Sequence, residues 1–587
     1  MTLSARNRDL IFLSAIAFLC FFWRLGSISL FDFNEGFYVE AAREMYLRGD
    51  YVTPQVNGAF FFDKPPLVLW LAAGSFHLFG VTEFAARLPV AIAAALMVFL
   101  TYFFASRYFG RKTGLFAGAI MGANPLVFFT ARQMTMDIVQ SLFFCAAMVG
   151  FFLGYTAKTA RGKNWYYVLW VSCGLGYLAK SIPGLFPIAI SFTFVLVSEK
   201  FELRSIWSRI REARVFGGLV LMFLILFPWH YLAYRANGEI FYQQYWVLHH
   251  LKLASGSDFN HVQPWYFYVP MLMAGLFPWS LFLPFVARFR RGVASGGETN
   301  ESEKDVHSAY RFVAVWAIVV FFIFSVMRSK LISYLIPMYP AAAILIADWL
   351  VRTVEAPERR RTLSWGLFTV AASCVAMTVG CALYVLKAPV SLGAQSYDFS
   401  AAWIWVVEGL VLVVLGISGA LILAFAGKRQ HAVFVMTCGV ASFFLIAVPR
   451  GTHSIEMYMN APLHKLAKEA GREVREGKDV AIYIGGPRRP SVFFYMPDKV
   501  FLKSTSHKPG EEIMLESSDK APIEGFLARR RPAYILTDSK RAKDLMLGTS
   551  DISIDRRADK WVLLRAGEKA KVAKSVVSHL ANLNHTQ

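Results

Sequence analysis

Three carboxylates lie within the aromatic-rich decapeptide FDFNEGFYVE, which follows the first long apolar run of the chain: Asp32, Glu35 and Glu40. A carboxylate at a membrane surface can remove a proton from a hydroxyl or amine that attacks an electrophilic carbon. The same pattern also fits a solvated loop that opens an amphipathic helix, with Asn34 as its N-cap. Residues 35–48 have a helical pattern, with Glu35, Tyr38, Ala42 and Met45 on one stripe, which predicts a helix that lies in the membrane interface.

Cations accompany acids at three further points of the sequence. Asp63 and Lys64 precede two prolines in DKPP, and these prolines fix the backbone and end any preceding helix, which aims the Asp–Lys pair. Arg132 and Asp137 flank the start of an apolar run in TARQMTMDIVQ, where a carboxylate close to hydrocarbon indicates function. Lys180 lies in the short hairpin LAKSIPG.

Two more polar segments border apolar runs. SKLISY contains Lys330 and Tyr334, and the aromatic segment YWVLHHLKLASGSDFNHVQPWYFY contains His249, Lys252 and His261. The histidine spacing forms no zinc motif and favours a structural role over metal ligation.

These segments together offer carboxylates for proton abstraction, cations for a phosphate, and aromatic walls suited to a sugar or an isoprenoid. Glycosyl transfer from a lipid-phosphate sugar uses a carboxylate base, and cations stabilise the leaving phosphate. An inverting displacement needs one base, whereas two close carboxylates permit a retaining route. The separation between the carboxylates decides between these routes.

The composition is that of a membrane protein. Of 587 residues, 56% are hydrophobic and only 17% are charged, which is more apolar surface than a soluble fold can bury. The apolar residues come in runs of about 18–25, the length that crosses a hydrocarbon core. The first run follows the basic lead MTLSARNR without an evident cleavage site, so we expect a retained helix.

The net charge of +21 is spread over short clusters between the apolar runs, as in membrane proteins that use it to set their orientation. With each cluster on the cytoplasmic side, the chain has about thirteen spans, a cytoplasmic N-terminus and an external C-terminus. The spans are predicted to begin near residues 11, 67 or 84, 113, 138, 165, 182, 215, 265, 312, 332, 364, 403 and 431. All six cysteines lie inside apolar runs, which argues against a disulfide framework or a thiolate zinc site.

This topology places the acidic decapeptide and nearly every polar residue named above on the outer face. A transmembrane domain over residues 1–448 is predicted to carry two outer-face loops, 31–66 and 234–264. Residues 449–587 change character: LHKLAKEAGREVREG has a helical pattern, whereas KDVAIYIGG, PAYILTD and KWVLLRA read as strands. The sequence predicts a polytopic α-helical membrane protein with a small C-terminal extracytoplasmic α/β domain.

The ordered series NEGFYVEAAREM, GDYVTPQVNG, FFFDKPPLVLWL, FGRKTGLFAG and ARQMTMDIVQSLF resembles the ArnT-like glycosyltransferases of the GT-C superfamily, which also contains the protein O-mannosyltransferases. PWHYL, FPWSLF and SKLISYLIPMYP extend the match over about residues 25–350. The resemblance implies a multi-span inner-membrane glycosyltransferase with a periplasmic active site. Such an enzyme moves a sugar from undecaprenyl phosphate to an extracytoplasmic acceptor such as lipid A, another glycolipid or polysaccharide, or a protein.

The resemblance also assigns roles to residues. The (D/E)KPP motif falls on Asp63 and Lys64, and the SKLxxY motif falls on Lys330 and Tyr334. Contacts to the donor or its phosphate are expected from Lys64, Asp63, Tyr38, Arg132, Lys252, Lys330 and Tyr334. Acceptor binding or a structural role is expected for Asn34, His249 and His261. A divalent metal is the one cofactor considered, with Asp63 and His249 as candidate ligands.

The first motif departs from the family pattern. Where members with the D-E-x-R-Y form have a catalytic Asp and an Arg, this chain has Asn34 and Phe37, and an amide cannot act as a carboxylate base. We expect Glu35 to be the base with Asp137 assisting, and Asp32 is the rival candidate. Arg132, Lys64 or Lys330 would compensate for the missing Arg. The donor sugar and the acceptor are therefore left open.

Two other classes of protein remain as alternatives. A transporter or flippase of lipid-linked sugars would hold its charges near the bilayer midplane, whereas here they cluster at the outer ends of spans. An inactive glycolipid-binding relative is suggested by Asn34.

Overall fold

The structure is a computed structural model that describes residues 4–31, 34–56, 58–252, 262–287 and 301–356, parts of 365–443, residues 461–475 and 479–483, and parts of 494–572. The chain forms two compact units. The first comprises Met1–Leu25, Asp63–Val68 and Arg87–Thr452, and the second comprises Gly26–Phe62, Leu69–Ala86 and His453–Gln587.

The first unit is mainly helical, and most of its helices are apolar. Its helices are α1 (Ala5–Ala17), α4 (Glu83–Phe109, in this unit from Arg87), α5 (Arg111–Gly122), α6 (Pro125–Ala131), α7 (Met136–Thr156), α8 (Tyr166–Lys180), α9 (Phe186–Ser198), α10 (Leu203–Glu212), α11 (Val215–Phe241), α12 (Tyr268–Gly275), α13 (Glu301–Val326), α14 (Tyr339–Glu355) and α15 (Ser400–Phe425). A π-helix (Tyr242–Lys252), a 3-10 helix (Ile332–Met338) and a short antiparallel pair, β3 (Val390–Leu392) and β4 (Gln395–Tyr397), also belong to it.

Within the described residues, five helices are long and apolar enough to cross a membrane, or up to seven if each bent helix pair is one span. One bent pair is α5 with α6, at 56°. The break has a local cause, because the Asn124 side chain accepts a hydrogen bond from the Val127 N–H at 2.9 Å and Pro125 opens α6. Helices begin close to most of the predicted span starts, including both 67 and 84. The total of about thirteen stays a prediction.

An ion pair between a buried carboxylate and a half-exposed arginine joins α1 to α5. The Asp9 carboxylate accepts hydrogen bonds from Nε and Nη2 of Arg111, each at 2.6 Å, and a third from the Tyr102 hydroxyl at 3.2 Å. Since the Asp9 side chain is only 2% exposed, these donors replace the water that the carboxylate loses on burial.

The second unit combines short N-terminal elements with a C-terminal sheet. Its elements are α2 (Asn34–Arg48), β1 (Gln55–Val56), β2 (Ala59–Phe60), α3 (Leu67–Phe79, in this unit from Leu69), α16 (Ala461–Arg475), β5 (Asp479–Tyr483), β6 (Ala533–Asp538), β7 (Thr549–Ala558) and β8 (Trp561–Val572). The sheet has the order β5-β6-β8-β7, in which β5 and β6 are parallel and the other pairs are antiparallel. The helix and the three strands expected after residue 448 are confirmed, and β7 was not predicted.

Candidate functional site

An ion pair joins the facing ends of α7 and α8. Lys180, the last residue of α8, donates a hydrogen bond to Asp137 in the first turn of α7. The side chains are 11% and 14% exposed. An acid at a helix N-terminus and a cation at a helix C-terminus both complement the helix macrodipole, so each residue also stabilises its own helix.

Glycine and a strained turn place Lys180 at this point. Ser181 follows it at φ +68°, which turns the chain out of α8 into the 3-10 helix Ile182–Leu185. Gly184 of that helix lies against the backbone of Gly176 in α8, where any Cβ on Gly184 would overlap the Gly176 carbonyl carbon. The turn therefore closes tightly enough to hold Lys180 at the helix end.

Tyr334 brings a third segment to this pair. Its ring centroid lies 4.1 Å from the Lys180 Nζ, in the geometry of a cation–π interaction. Tyr334 also interacts electrostatically with Asp137, Lys64 and Asp63. We refer to Asp63, Lys64, Asp137, Lys180 and Tyr334 as the acid–cation cluster. Four sequence segments, each marked in advance by its polar residues, therefore meet in the first unit.

The Asp63–Lys64 pair is the more exposed part of the cluster. The Lys64 Nζ donates to Asp63 Oδ1 at 2.9 Å and to the Asp63 carbonyl at 3.1 Å. The following prolines, Pro65 and Pro66, are buried, whereas the Lys64 and Asp63 side chains are 26% and 23% exposed. A partly exposed pair of this kind contributes about 1 kcal/mol or less, so an incoming anion can compete for the ammonium group.

The Lys330 side chain is buried among backbone carbonyl groups. It is 4% exposed, donates to the Gln263 carbonyl at 3.1 Å and to the Met327 carbonyl, and burial lowers its pKa. Val262 and Ser329 form an isolated β-bridge beside it. These contacts make Lys330 a link between segments 262–263 and 327–330, and its expected role at the phosphate stays a prediction.

Arg132 binds backbone carbonyls at the C-terminal end of the first helical segment. Its guanidinium donates to the carbonyls of Trp23 at 2.9 Å, Arg24 at 3.1 Å and Cys20 at 3.3 Å. Burial, the foremost cause, and repulsion from Arg87 lower its pKa to about 10. Carbonyls at a helix C-terminus lack intrahelical donors, and a cation there satisfies them. These contacts give Arg132 a structural role, and its expected contact with the donor phosphate stays a prediction.

In the second unit, Glu35 is buried in the first turn of α2. Its Oε2 accepts a hydrogen bond from the Phe31 N–H at 2.8 Å, and the Gly36 N–H donates to the Phe31 carbonyl at 3.1 Å. The carboxylate therefore reaches back to a donor that precedes the helix, as in a capping box. The predicted helix over residues 35–48 is confirmed, with Ala42 and Met45 buried on the same stripe.

The neighbours of Glu35 on α2 have separate partners. Glu40 is buried and accepts two hydrogen bonds from the Arg43 guanidinium, at 2.7 and 2.8 Å, which gives it a structural ion pair. Phe37 stacks on Phe61 with ring centroids 5.8 Å apart, and Tyr38 lies 6.0 Å from the same ring. Where the family motif has an arginine, this chain therefore has an aromatic stack.

Several predicted site residues lie outside the described side chains: Asp32, Asn34, His249, Lys252 and His261. In the part of the chain that is described, no three His, Cys, Asp or Glu side chains come together as metal ligands. Asp63 has Lys64 as its cation partner there. Lys180 is the cluster residue to which the sequence assigned no role, although its place in an outer-face hairpin was the available signal.

Comparison with known proteins supplies three findings on sequence. A family described as dolichyl-phosphate-mannose-protein mannosyltransferase matches residues 63–232. The undecaprenyl phosphate-alpha-4-amino-4-deoxy-L-arabinose arabinosyl transferase of Edwardsiella ictaluri is 28% identical over 326 residues, which are 54% of this chain and 55% of that protein. The protein of the same name from Yersinia pestis is 28% identical over 375 residues, or 62% and 63% of the two chains. The match spans little more than half the length of these relatives.

The fold has a close counterpart among solved structures. The crystal structure of ArnT from Cupriavidus metallidurans bound to undecaprenyl phosphate superimposes with a TM-score of 0.78, at 22% sequence identity, over 96% of this chain and 98% of that one. At this identity the likeness establishes the fold. The ArnT-like, mainly helical membrane fold expected from the sequence is therefore confirmed.

Proposed function

We propose that this ArnT-like chain with a GT-C fold is a membrane glycosyltransferase, which moves a sugar from a polyprenyl-phosphate donor to an extracytoplasmic acceptor. The names of its relatives, which describe transfer from an undecaprenyl phosphate sugar, support this assignment. So does the undecaprenyl phosphate bound to the ArnT of the same fold. The observation that carries the proposal is the acid–cation cluster, since a lipid phosphate needs cations of this kind.

In this proposal Lys64 and Lys180 bind the donor phosphate. Both ammonium groups already have a carboxylate partner, Asp63 and Asp137 respectively, and both interact with the same Tyr334. A phosphate that replaces those carboxylates keeps each lysine neutralised and places the developing negative charge of the leaving group against two cations. The Tyr334 ring provides a flat apolar wall for the sugar or the first isoprene unit.

A carboxylate base completes the reaction. It takes the proton of the acceptor hydroxyl or amine while that oxygen or nitrogen bonds to the anomeric carbon and the bond to the phosphate oxygen breaks. We assign this role to Glu35, with Asp137 assisting, because Asn34 cannot fill it. The Phe31 N–H donates to Oε2 of this carboxylate at 2.8 Å and so fixes its position at the start of α2.

The acceptor is proposed as a class. Lipid A, another glycolipid or polysaccharide, and a protein each present the required hydroxyl or amine. An inner-membrane location, with the reaction on the periplasmic side and the C-terminal α/β domain on that side as well, belongs to the same proposal. A divalent metal is not needed for any step in it.

Turnover of a defined donor tests this function. Purified full-length chain in lipid nanodiscs is incubated with undecaprenyl-phosphate sugars and with lipid A, glycan or peptide acceptors, and released undecaprenyl phosphate is measured. We expect release that depends on an acceptor and is lost in Lys64→Met. Donor binding without release for every combination would favour an inactive glycolipid-binding protein instead.

A further inference from the structure

The C-terminal part of the second unit contacts the chain immediately before α2. The Leu30 N–H donates a hydrogen bond to the Tyr495 hydroxyl at 2.8 Å, and the His464 Nδ1 lies 2.8 Å from the Ser29 hydroxyl oxygen. Leu30, Tyr495 and His464 are all buried. A buried backbone N–H needs a partner, so the Tyr495 hydroxyl fulfils a requirement of Leu30 that water cannot meet.

The two C-terminal side chains support each other. Their rings lie 4.3 Å apart between centroids, and the Lys468 ammonium lies 4.8 Å from the Tyr495 ring centroid. His464 and Lys468 are one turn apart on α16. This helix packs on all four strands of the sheet, and its Glu473 accepts a hydrogen bond from Arg556 of β7 at 3.1 Å. A rigid element therefore lies behind both contacts.

The same segment leads directly to Glu35. Residue 31 follows Leu30, and the Phe31 N–H is the donor that holds the Glu35 carboxylate at 2.8 Å. A shift of Leu30 would therefore displace Phe31 and with it a hydrogen bond to the Glu35 carboxylate. Catalytic groups lose much of their effect when they move by about 1 Å.

We propose that Tyr495 and His464 are positioning residues. Through them the C-terminal part of the second unit holds residues 29–31 and so orients Glu35 for proton transfer. This inference rests on the proposed function. It gives the C-terminal α/β domain a task in the reaction, namely to fix the start of α2.

Tyr495→Phe tests the proposal because it removes one hydroxyl and keeps the ring contacts. Two quantities are measured on the full-length chain in nanodiscs: amide hydrogen exchange at Leu30 and Phe31, and kcat and KM for an undecaprenyl-phosphate sugar. We expect several-fold faster exchange at both amides, and a kcat lowered about tenfold with little change in donor KM. His464→Asn, which keeps a polar nitrogen near Ser29, should retain more kcat than His464→Ala.

Tyr534→Phe is the matched control, because it removes a buried tyrosine hydroxyl from the interior strand β6 of the same unit. It should leave kcat near the wild-type value. Faster exchange in Tyr495→Phe with an unchanged kcat would overturn the positioning role and leave the proposed function standing. Equal losses of kcat in Tyr495→Phe and Tyr534→Phe would likewise overturn it, in favour of general destabilisation. Wild-type chain without turnover would overturn the proposed function itself.

Discussion

The Lys180 ammonium lies 4.1 Å from the centroid of the Tyr334 ring while it pairs with Asp137. One cation thus contacts an acid at the start of α7 and an aromatic ring in the 3-10 helix Ile332–Met338. Both contacts are mostly shielded from water, which strengthens their electrostatic part. These contacts hold the lysine in one place, and in the proposed reaction such a preorganised cation would stabilise the charge of the leaving phosphate.

Loss of either cluster lysine should stop transfer. Lys180→Met and Lys64→Met each remove a positive charge that would stabilise the leaving phosphate, so we expect turnover to fall about 100-fold or more. Release of undecaprenyl phosphate is the measurement. The control is Lys112→Met, since Lys112 pairs with Glu355 at 2.8 Å with both side chains about half exposed, at 51% and 49%. A Lys180→Met protein with more than half of wild-type turnover would remove Lys180 from the site.

Glu35→Gln separates proton transfer from helix capping. The glutamine carbonyl oxygen can still accept from the Phe31 N–H, so α2 should keep its start, whereas the amide cannot take a proton. We expect turnover to fall by about two orders of magnitude or more, with a thermal midpoint close to that of the wild type. Near-normal rates would instead move the base to Asp137 or Asp32, and Asp137→Asn and Asp32→Asn then distinguish these two.

The buried Asp9 should matter for stability more than an exposed ion pair does. Asp9→Asn weakens the hydrogen bonds from Arg111 and Tyr102 at a site 2% exposed. We expect a loss of about 2 kcal/mol, discounted because Arg111 is half exposed. Glu355→Gln, which breaks the exposed pair with Lys112, should cost about 1 kcal/mol or less. Thermal midpoints at one scan rate in one detergent compare the two, and equal shifts would contradict the ranking.

Lys330 should make stability depend on pH in the alkaline range. Burial lowers its pKa in the folded chain below the ordinary value near 10.4, so between these values the unfolded chain binds more protons. The contribution of Lys330 to the free energy of unfolding therefore increases as pH rises through that interval. The thermal midpoint of the wild type, relative to that of Lys330→Met, should therefore rise as the pH increases through this interval. A difference that is constant with pH would show that the ammonium keeps its ordinary pKa.

The predicted topology can be read by labelling from outside. In a chain without native cysteines, Leu47→Cys is placed at an exposed position of α2, within the predicted outer loop 31–66. Lys304→Cys is placed at an exposed position in the first turn of α13, between the spans predicted to begin near 265 and 312, where the predicted topology is cytoplasmic. A membrane-impermeant maleimide applied to whole cells with a permeabilised outer membrane should label position 47 and not position 304. The reverse pattern would invert the orientation.

Local elements could be predicted from sequence because their signals are local. The stripe of Glu35, Ala42 and Met45 predicted α2, and the apolar run PAYILTD predicted β6. Strand β7 escaped because TSDISIDRRA is mostly polar, and only the alternation of Ile552 and Ile554 marks it. Its antiparallel pairing with β8 stabilises β7 as a strand, and the sequence of β7 alone does not show this pairing.

The site could be predicted only in part. Topology placed Asp137 and Lys180 on the same side of the membrane, but the contact between them depends on how α7 and α8 pack. The structural contacts of Arg132 could not be predicted, because its partners are backbone carbonyls, which leave no mark in a sequence. The contact of His464 with Ser29 joins residues 435 positions apart, and no pattern near either residue announces it.

The link between Leu30 and Tyr495 spans 465 positions, which has a consequence for biosynthesis. A ribosome exposes the N-terminus first, so the segment before α2 leaves it long before Tyr495 exists. That segment cannot take its final arrangement until almost the whole chain has been made. A product truncated before α16 could insert its helices in the membrane. Residues 29–31 would then lack their hydrogen-bond partners Tyr495 and His464. The segment of residues 29–31 can therefore reach its final arrangement only after translation has passed residue 495.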